Sequence, residues 1–90
     1  MTKAEFVDRL ASRLQMRKKE AAAVLDAVLT EIEESLKEGE KVQLIPFGSF
    51  EVRERKAREG RNPRTGASIT IEGRKVAAFN AGKGLRDSLG

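Results

Sequence analysis

The 23 residues from Arg53 to Lys75 set the tightest limit on how this chain can fold. A strand that packs into a core needs apolar side chains at alternate positions on at least one face. The outgoing half of this stretch, Arg53 to Gly60, has no apolar face, and the returning half keeps only Ile69 and Ile71. The stretch instead carries eight Lys/Arg against three Glu, a net charge of +5. Its centre, Arg61-Asn62-Pro63-Arg64-Thr65-Gly66, has turn chemistry. Proline presets φ for a turn, and glycine tolerates positive φ. The segment is therefore predicted to be a basic β-hairpin with a proline at its tip. Ten extended residues from Arg53 to Asn62 span roughly 33 Å. The remaining 67 residues, if compact, have a radius of gyration of about 11 Å. A strand so long and so polar must project as an arm, and its tip is expected to lack persistent structure until a partner holds it.

Charge is segregated along the rest of the chain. Residues 1–52 sum to −2 and residues 76–90 to +1, so a mildly acidic body carries a basic appendage. That division points to an anionic partner on one face. The 90 residues are read as one domain, 1–90, with the arm at 53–75. Aromatics are only 4% of the chain, so the core must be small and aliphatic. A domain of this size buries only about 60% of its unfolded surface and is marginal alone. No cysteine is present to form a disulfide, and oligomerisation is the remaining way to enlarge the core. Cysteine usage fits a cytoplasmic location. The absence of His and Cys removes the usual zinc ligands. No signal peptide is expected from Met1-Thr2-Lys3-Ala4-Glu5, and the longest apolar run, Ala21 to Leu25, is far short of a membrane span. No Ser has an evident base partner and Glu31, Glu33 and Glu34 read as a solvated helix face, so neither catalysis, a small-molecule substrate nor a cofactor is expected.

Thr2-Lys3-Ala4-Glu5 forms a capping box, and Phe6, Val7, Leu10, Ala11 and Leu14 follow at helical spacing. A first helix is expected over residues 3–14. A second is expected from Lys18 to Lys37, with Ala21, Val24, Leu25, Val28, Leu29, Ile32 and Leu36 as its apolar stripe and Gly39 as its left-handed stop. A short link, Gln15 to Arg17, makes the two an antiparallel pair. Val42–Ile45 and Ser49–Val52 read as strands around a Pro46-Phe47-Gly48 break. Val76–Phe79 re-enters the apolar region, and a short helix is expected over Leu85–Leu89 beyond Gly82-Lys83-Gly84.

The candidate contacts to a polyanion are the arm residues Arg53, Arg55, Lys56, Arg58, Arg61, Asn62, Pro63, Arg64, Arg74 and Lys75, joined by Lys83 and Lys3. Arginine outnumbers lysine six to two among the arm cations, and its planar fork suits phosphate and narrow grooves. Pro63 is rigid, apolar and flanked by Arg61 and Arg64, so it can wedge between base steps while its neighbours meet phosphates. Lys83 opens a helix, where free N–H groups favour anions. Arg17-Lys18-Lys19 places cations at a helix start, against the macrodipole, which hints at an outside anion. All four phenylalanines read as core. Phe47, Phe50 and Phe79 flank the arm, where one chain has little to cover them, and are expected to form a core shared between two chains.

Taken together, Val42-Gln43-Leu44-Ile45-x-Phe47-Gly48-Ser49-Phe50, Gly60-Arg61-Asn62-Pro63-x-Thr65-Gly66 and Phe79-x-Ala81-Gly82-Lys83-x-Leu85 closely resemble the bacterial histone-like family of HU and integration host factor, over essentially all 90 residues. The resemblance implies an α+β fold: a helical base of two long helices and a short C-terminal one, a three-stranded β saddle and a long hairpin arm, in an intertwined homodimer or heterodimer embracing double-stranded DNA in the nucleoid. It further implies that Pro63 intercalates, that the arm cations hold the minor groove and that Lys83 meets phosphate. The proline wedge is that family's known way of bending DNA, taken over here by resemblance. Pro46 stands where the family usually has Gly, and Arg17 replaces a Ser/Thr helix cap, a loss of ~1 kcal/mol unless another group substitutes. Glu72-Gly73-Arg74-Lys75 is closer to one integration host factor subunit. The implied function is non-sequence-specific, with flexible, bent or nicked duplex preferred. A site-selective relative, an RNA binder and a protein-interaction module gripping an acidic partner remain the alternatives. The arm lacks the aromatic platforms that single-stranded bases stack on.

Overall fold

The computed structural model describes all 90 residues, Met1–Gly90, which form two compact units, Met1–Glu34 and Ser35–Gly90. The first unit is a helical pair, α1 (Lys3–Leu14) and the greater part of α2 (Lys18–Lys37). Thr2 caps α1: its Oγ1 accepts the Glu5 N–H at 3.2 Å, while the Glu5 carboxylate reaches back to the Thr2 hydroxyl at 3.3 Å. The helix ends in a left-handed residue, Gln15, with φ 53°. Met16 N–H donates to Ala11 O at 3.0 Å and Gln15 N–H to Ser12 O at 3.3 Å, the Schellman pattern. Gly39, at φ 81°, closes α2 in the same way, with Glu40 N–H on Ser35 O and Gly39 N–H on Leu36 O.

Val7, Ala11 and Ala21 form the buried core of the helical pair, with Leu10, Met16, Ala22 and Leu25 packed around it. Two cross-helix ion pairs, Lys3–Asp26 at 2.7 Å and Lys18–Asp8 at 3.4 Å, run in the antiparallel sense the short link requires. The apolar stripe of α2 is only partly used. Ala21 is buried, but Val24, Val28 and Leu29 are exposed, as are Phe6 and Leu14 of α1. Phe6, read as a core residue, is only half covered in the single chain, at 47% exposure.

In the second unit, β1 (Val42–Leu44), β2 (Gly48–Arg55) and β5 (Arg74–Ala81) form an antiparallel sheet in the order β1-β2-β5. A separate two-stranded sheet pairs β3 (Arg58–Arg61) with β4 (Ser68–Ile71). Helix α3 (Lys83–Ser88) follows β5. β1 stops one residue before the expected Ile45, because the chain turns there: Phe47 N–H donates to Leu44 O across a cis Ile45–Pro46 peptide. β2 runs on from Val52 into the outgoing strand expected of the arm, with β5 supplying ladder partners as far as Arg55↔Arg74. The third helix begins at Lys83 rather than Leu85, with Gly82 at its cap.

The arm is not the uninterrupted strand expected. β2 with β5 and β3 with β4 keep one register, from Gly48↔Ala81 to Arg61↔Ser68, but the ladder lapses at Lys56-Ala57 and Glu72-Gly73. The backbones come close at this gap: a Cβ on Gly73 would fall 2.6 Å from Arg55 O and 2.9 Å from Ala57 N. Only a residue without a side chain allows that approach.

Candidate nucleic-acid interface

Register sorts the three-stranded sheet into two faces. Val42, Leu44, Phe50, Val52, Ala77 and Phe79 share the apolar face, and the Phe50 and Phe79 rings stand opposite each other with centroids 4.9 Å apart. Phe47 adds its ring to Phe79 at 5.5 Å. Gly48 is buried beneath them, and a Cβ there would strike the Phe79 ring at 2.6 Å. Phe47 and Phe79 nevertheless remain 50% and 42% exposed, so the single chain leaves its largest aromatic cluster half open.

The other face is mostly polar: Gln43, Ser49, Glu51, Arg53, Arg55, Arg74 and Asn80, with Val76 and Ala78 among them. Arg55 and Arg74 are direct cross-strand partners. Like charges in that position repel, an arrangement that an anion between them relieves. Arg53 is tied instead to Glu51 and Asn80 on the same face. The Arg53 hydrogen bond, then that of Asn80, holds the Glu51 carboxyl below the usual carboxylate range, with the charges of Arg53 and Lys41 assisting. Lys75 pairs with Glu54 at 3.7 Å.

Beyond the gap, Arg58 faces Ile71 and Gly60 faces Ile69 on one side of the hairpin, while Arg61 faces Ser68 on the other. The Ile71 side chain lies over Gly60, which has no Cβ to displace it. The tip carries its own hydrogen bonds, which build the turn that Asn62-Pro63 and Gly66 predict. Asn62 N–H donates to Ala67 O at 2.9 Å, Gly66 N–H to Asn62 O at 2.8 Å, and Arg64 N–H to Asn62 Oδ1 at 2.8 Å. Asn62 therefore spends its side-chain oxygen on the turn, while Pro63 and Arg64 stand exposed at its apex. Gly66 takes the positive φ, 72°, that the turn requires.

Lys83 is the first residue of α3, in a cleft of about 250 Å³ that also includes Gln43, Ser49 and Asn80 of the polar face. The helix start is pinned to the Pro46 turn. Gly82 N–H donates to Phe47 O at 2.7 Å, and a Cβ on Gly82 or Gly84 would fall onto Pro46. Some of the remaining cations have ion-pair partners within their own unit. Lys3 belongs to the Met1–Glu34 unit and pairs with Asp26. Of the cations at the α2 start, Lys18 pairs with Asp8, and Arg17 lies 4.0 Å from Glu20.

A family model described as bacterial DNA-binding protein matches residues 1–90. The chain belongs to the HU family of bacterial DNA-binding proteins. HU from Streptococcus pyogenes is 55% identical over 87 residues, covering 97% of this chain and 96% of the relative. HU from Staphylococcus aureus is 53% identical over 89 residues, 99% of each chain. Among solved structures, an HU–DNA cocrystal structure from Anabaena matches with a TM-score of 0.88 at 50% identity, over 99% of this chain and 97% of that one. HU from Thermotoga maritima matches with a TM-score of 0.73 at 33% identity over the whole of both chains. Members of the HU family are DNA-binding architectural proteins, not enzymes. Sequence reasoning did not single out Glu51, Asn80, Gln43 or Ser49. Glu51 and Asn80 meet only through β2–β5 pairing, 29 residues apart, which no local pattern reveals.

Proposed function

We propose that this chain acts as a dimer that binds double-stranded DNA through the minor groove, without reading a base sequence, and bends it. The observation that carries this reading is the tip turn. Asn62 and Gly66 lock it, leaving Pro63 exposed between Arg61 and Arg64 at the end of a basic hairpin. A rigid apolar residue so presented suits insertion at a base step, while the guanidinium groups suit the flanking phosphates and the narrow groove. The opposed Arg55 and Arg74 continue the basic track onto the sheet. The Anabaena relative was crystallised with DNA, which supports the same assignment.

The 90 residues serve as one DNA-binding domain, completed by a second copy or a paralogue. Phe47, Phe50 and Phe79, with the uncovered half of the α2 stripe, supply the shared core. Arg53, Arg55, Lys56, Arg58, Arg61, Arg64, Arg74, Lys75 and Lys83 supply the positive charge, and the nucleoid of the bacterial cytoplasm is the place of action. Flexible, bent or nicked duplexes are preferred because their deformation costs less.

A fluorescence bending assay on intact and nicked duplex, run across a salt series, tests this. If a dimer neutralises about eight phosphates, log K falls against log salt with a slope of about −7. A slope shallower than about −2, or binding without bending, contradicts the proposal.

A further inference from the structure

Arg53 does not extend along the arm; it folds back over the sheet. Its Nε donates to Glu51 Oε1 at 2.9 Å and its Nη2 donates to Asn80 Oδ1 at 3.1 Å. Asn80 Nδ2 closes the ring by donating to the same Glu51 oxygen at 3.1 Å. Register explains the meeting. Glu51 and Arg53 are two apart on β2, and Asn80 lies on β5 opposite Ser49, diagonal to Glu51. The Glu51 side chain is 27% exposed and that of Arg53 57%, so the carboxylate is the more sheltered of the two and the guanidinium the more open to solvent. A guanidinium has five N–H donors, of which this network uses two.

We infer that Glu51 and Asn80 are positioning residues, which pre-orient Arg53 on the polar face of the sheet so that its unused N–H groups meet a phosphate of a duplex crossing that face. The inference rests on the DNA-binding function proposed above and adds a role for two residues outside the basic set. An ionised carboxylate on a DNA-facing surface repels phosphate, so charge alone gives Glu51 no favourable part in binding. Its contribution is geometric. A long, flexible arginine loses rotamer freedom when it grips a phosphate, and one already held in place loses less. The hydrogen bonds from Arg53 and Asn80 that favour the ionised Glu51 carboxyl are those that hold the fork, and the charges of Arg53 and Lys41 favour it further.

Two substitutions separate orientation from charge. Glu51→Gln keeps an oxygen able to accept from both Arg53 and Asn80 while removing the charge; Glu51→Ala removes both. Each variant is measured for affinity to a duplex at fixed salt, and for the NMR signal of Arg53 Nε–H in the free protein. Glu51→Gln is expected to bind at least as tightly as the parent and to keep a protected Nε–H. Glu51→Ala is expected to lose that protection and to bind about fivefold more weakly than Glu51→Gln. If both Glu51 substitutions tighten binding alike, or if Nε–H protection survives in Glu51→Ala, the inference is overturned. Should Glu51→Ala fail to fold, Asn80→Ala makes the same comparison at the second anchor. A parent protein indifferent to duplex DNA would defeat the proposed function, whereas the Nε–H comparison would still decide whether Glu51 orients Arg53.

Discussion

Pro63 stands exposed at an apex whose hydrogen bonds are made by its neighbours. Replacing it should therefore leave the arm formed and its cations in place. Pro63→Ala is expected to reduce the DNA bend angle while changing affinity by no more than a few fold, as read by energy transfer between the duplex ends; an unchanged bend would count against the wedge. Glu51 gives a second test at this scale. Its carboxyl titrates below the usual carboxylate range in the folded chain. Its interactions thus stabilise the fold at pH above the unfolded carboxylate value and are lost as pH falls through the lowered folded value. Thermal melts should show Tm falling on acidification across that window, with Glu51→Gln removing part of the fall. Both residues stand in the sequence, but only Pro63 announces itself there. Its turn chemistry is local, whereas the partners of Glu51 depend on the β2–β5 register.

The helices were legible in the sequence because their signals are local. The Thr2 capping box and the Gly39 stop lie within a few residues of the ends they define, and the structure places those ends at Lys3 and Lys37. Gln15 is the exception: it takes the left-handed position that Gly39 fills elsewhere, because the following Met16 packs into the core. Gln15→Gly should relieve that backbone cost and stabilise the chain by about 0.5–1 kcal/mol, seen as a higher Tm. Strand ends were less legible. β2 continues to Arg55 through polar residues because a distant strand satisfies its backbone. The ladder gap at Gly73 is a contact between two strands, and neither strand shows it alone. In the sheet, Gly48 makes room for the Phe79 ring, and Gly48→Ala should cost about 1–3 kcal/mol through overpacking. That loss corresponds to a Tm lower by about 4–8 °C per kcal/mol.

For the molecule as a whole, the pattern of exposure matters most. Within Met1–Glu34 only Val7, Ala11 and Ala21 are buried, while in Ser35–Gly90 the aromatic cluster keeps open rings. Uncovered apolar surface of this extent is what a second chain would remove from water. If the proposed dimer is the folded species, its Tm must rise with protein concentration by mass action. Melts over a hundredfold dilution, beside sedimentation equilibrium, check this. A concentration-independent Tm for a folded monomer would rule the dimer out as the source of stability.

Residue order alone determined the two helices, the caps at Thr2 and Gly39, the basic hairpin and its proline tip, because periodicity, capping and turn chemistry act over a few residues. Tertiary structure decided which arginines lie along the arm and which is drawn back over the sheet, where the arm's ladder lapses, and which apolar side chains one chain leaves uncovered. Those outcomes depend on backbone partners and packing between residues far apart in sequence, where hydrogen-bond register and close contact, rather than local preference, select the arrangement.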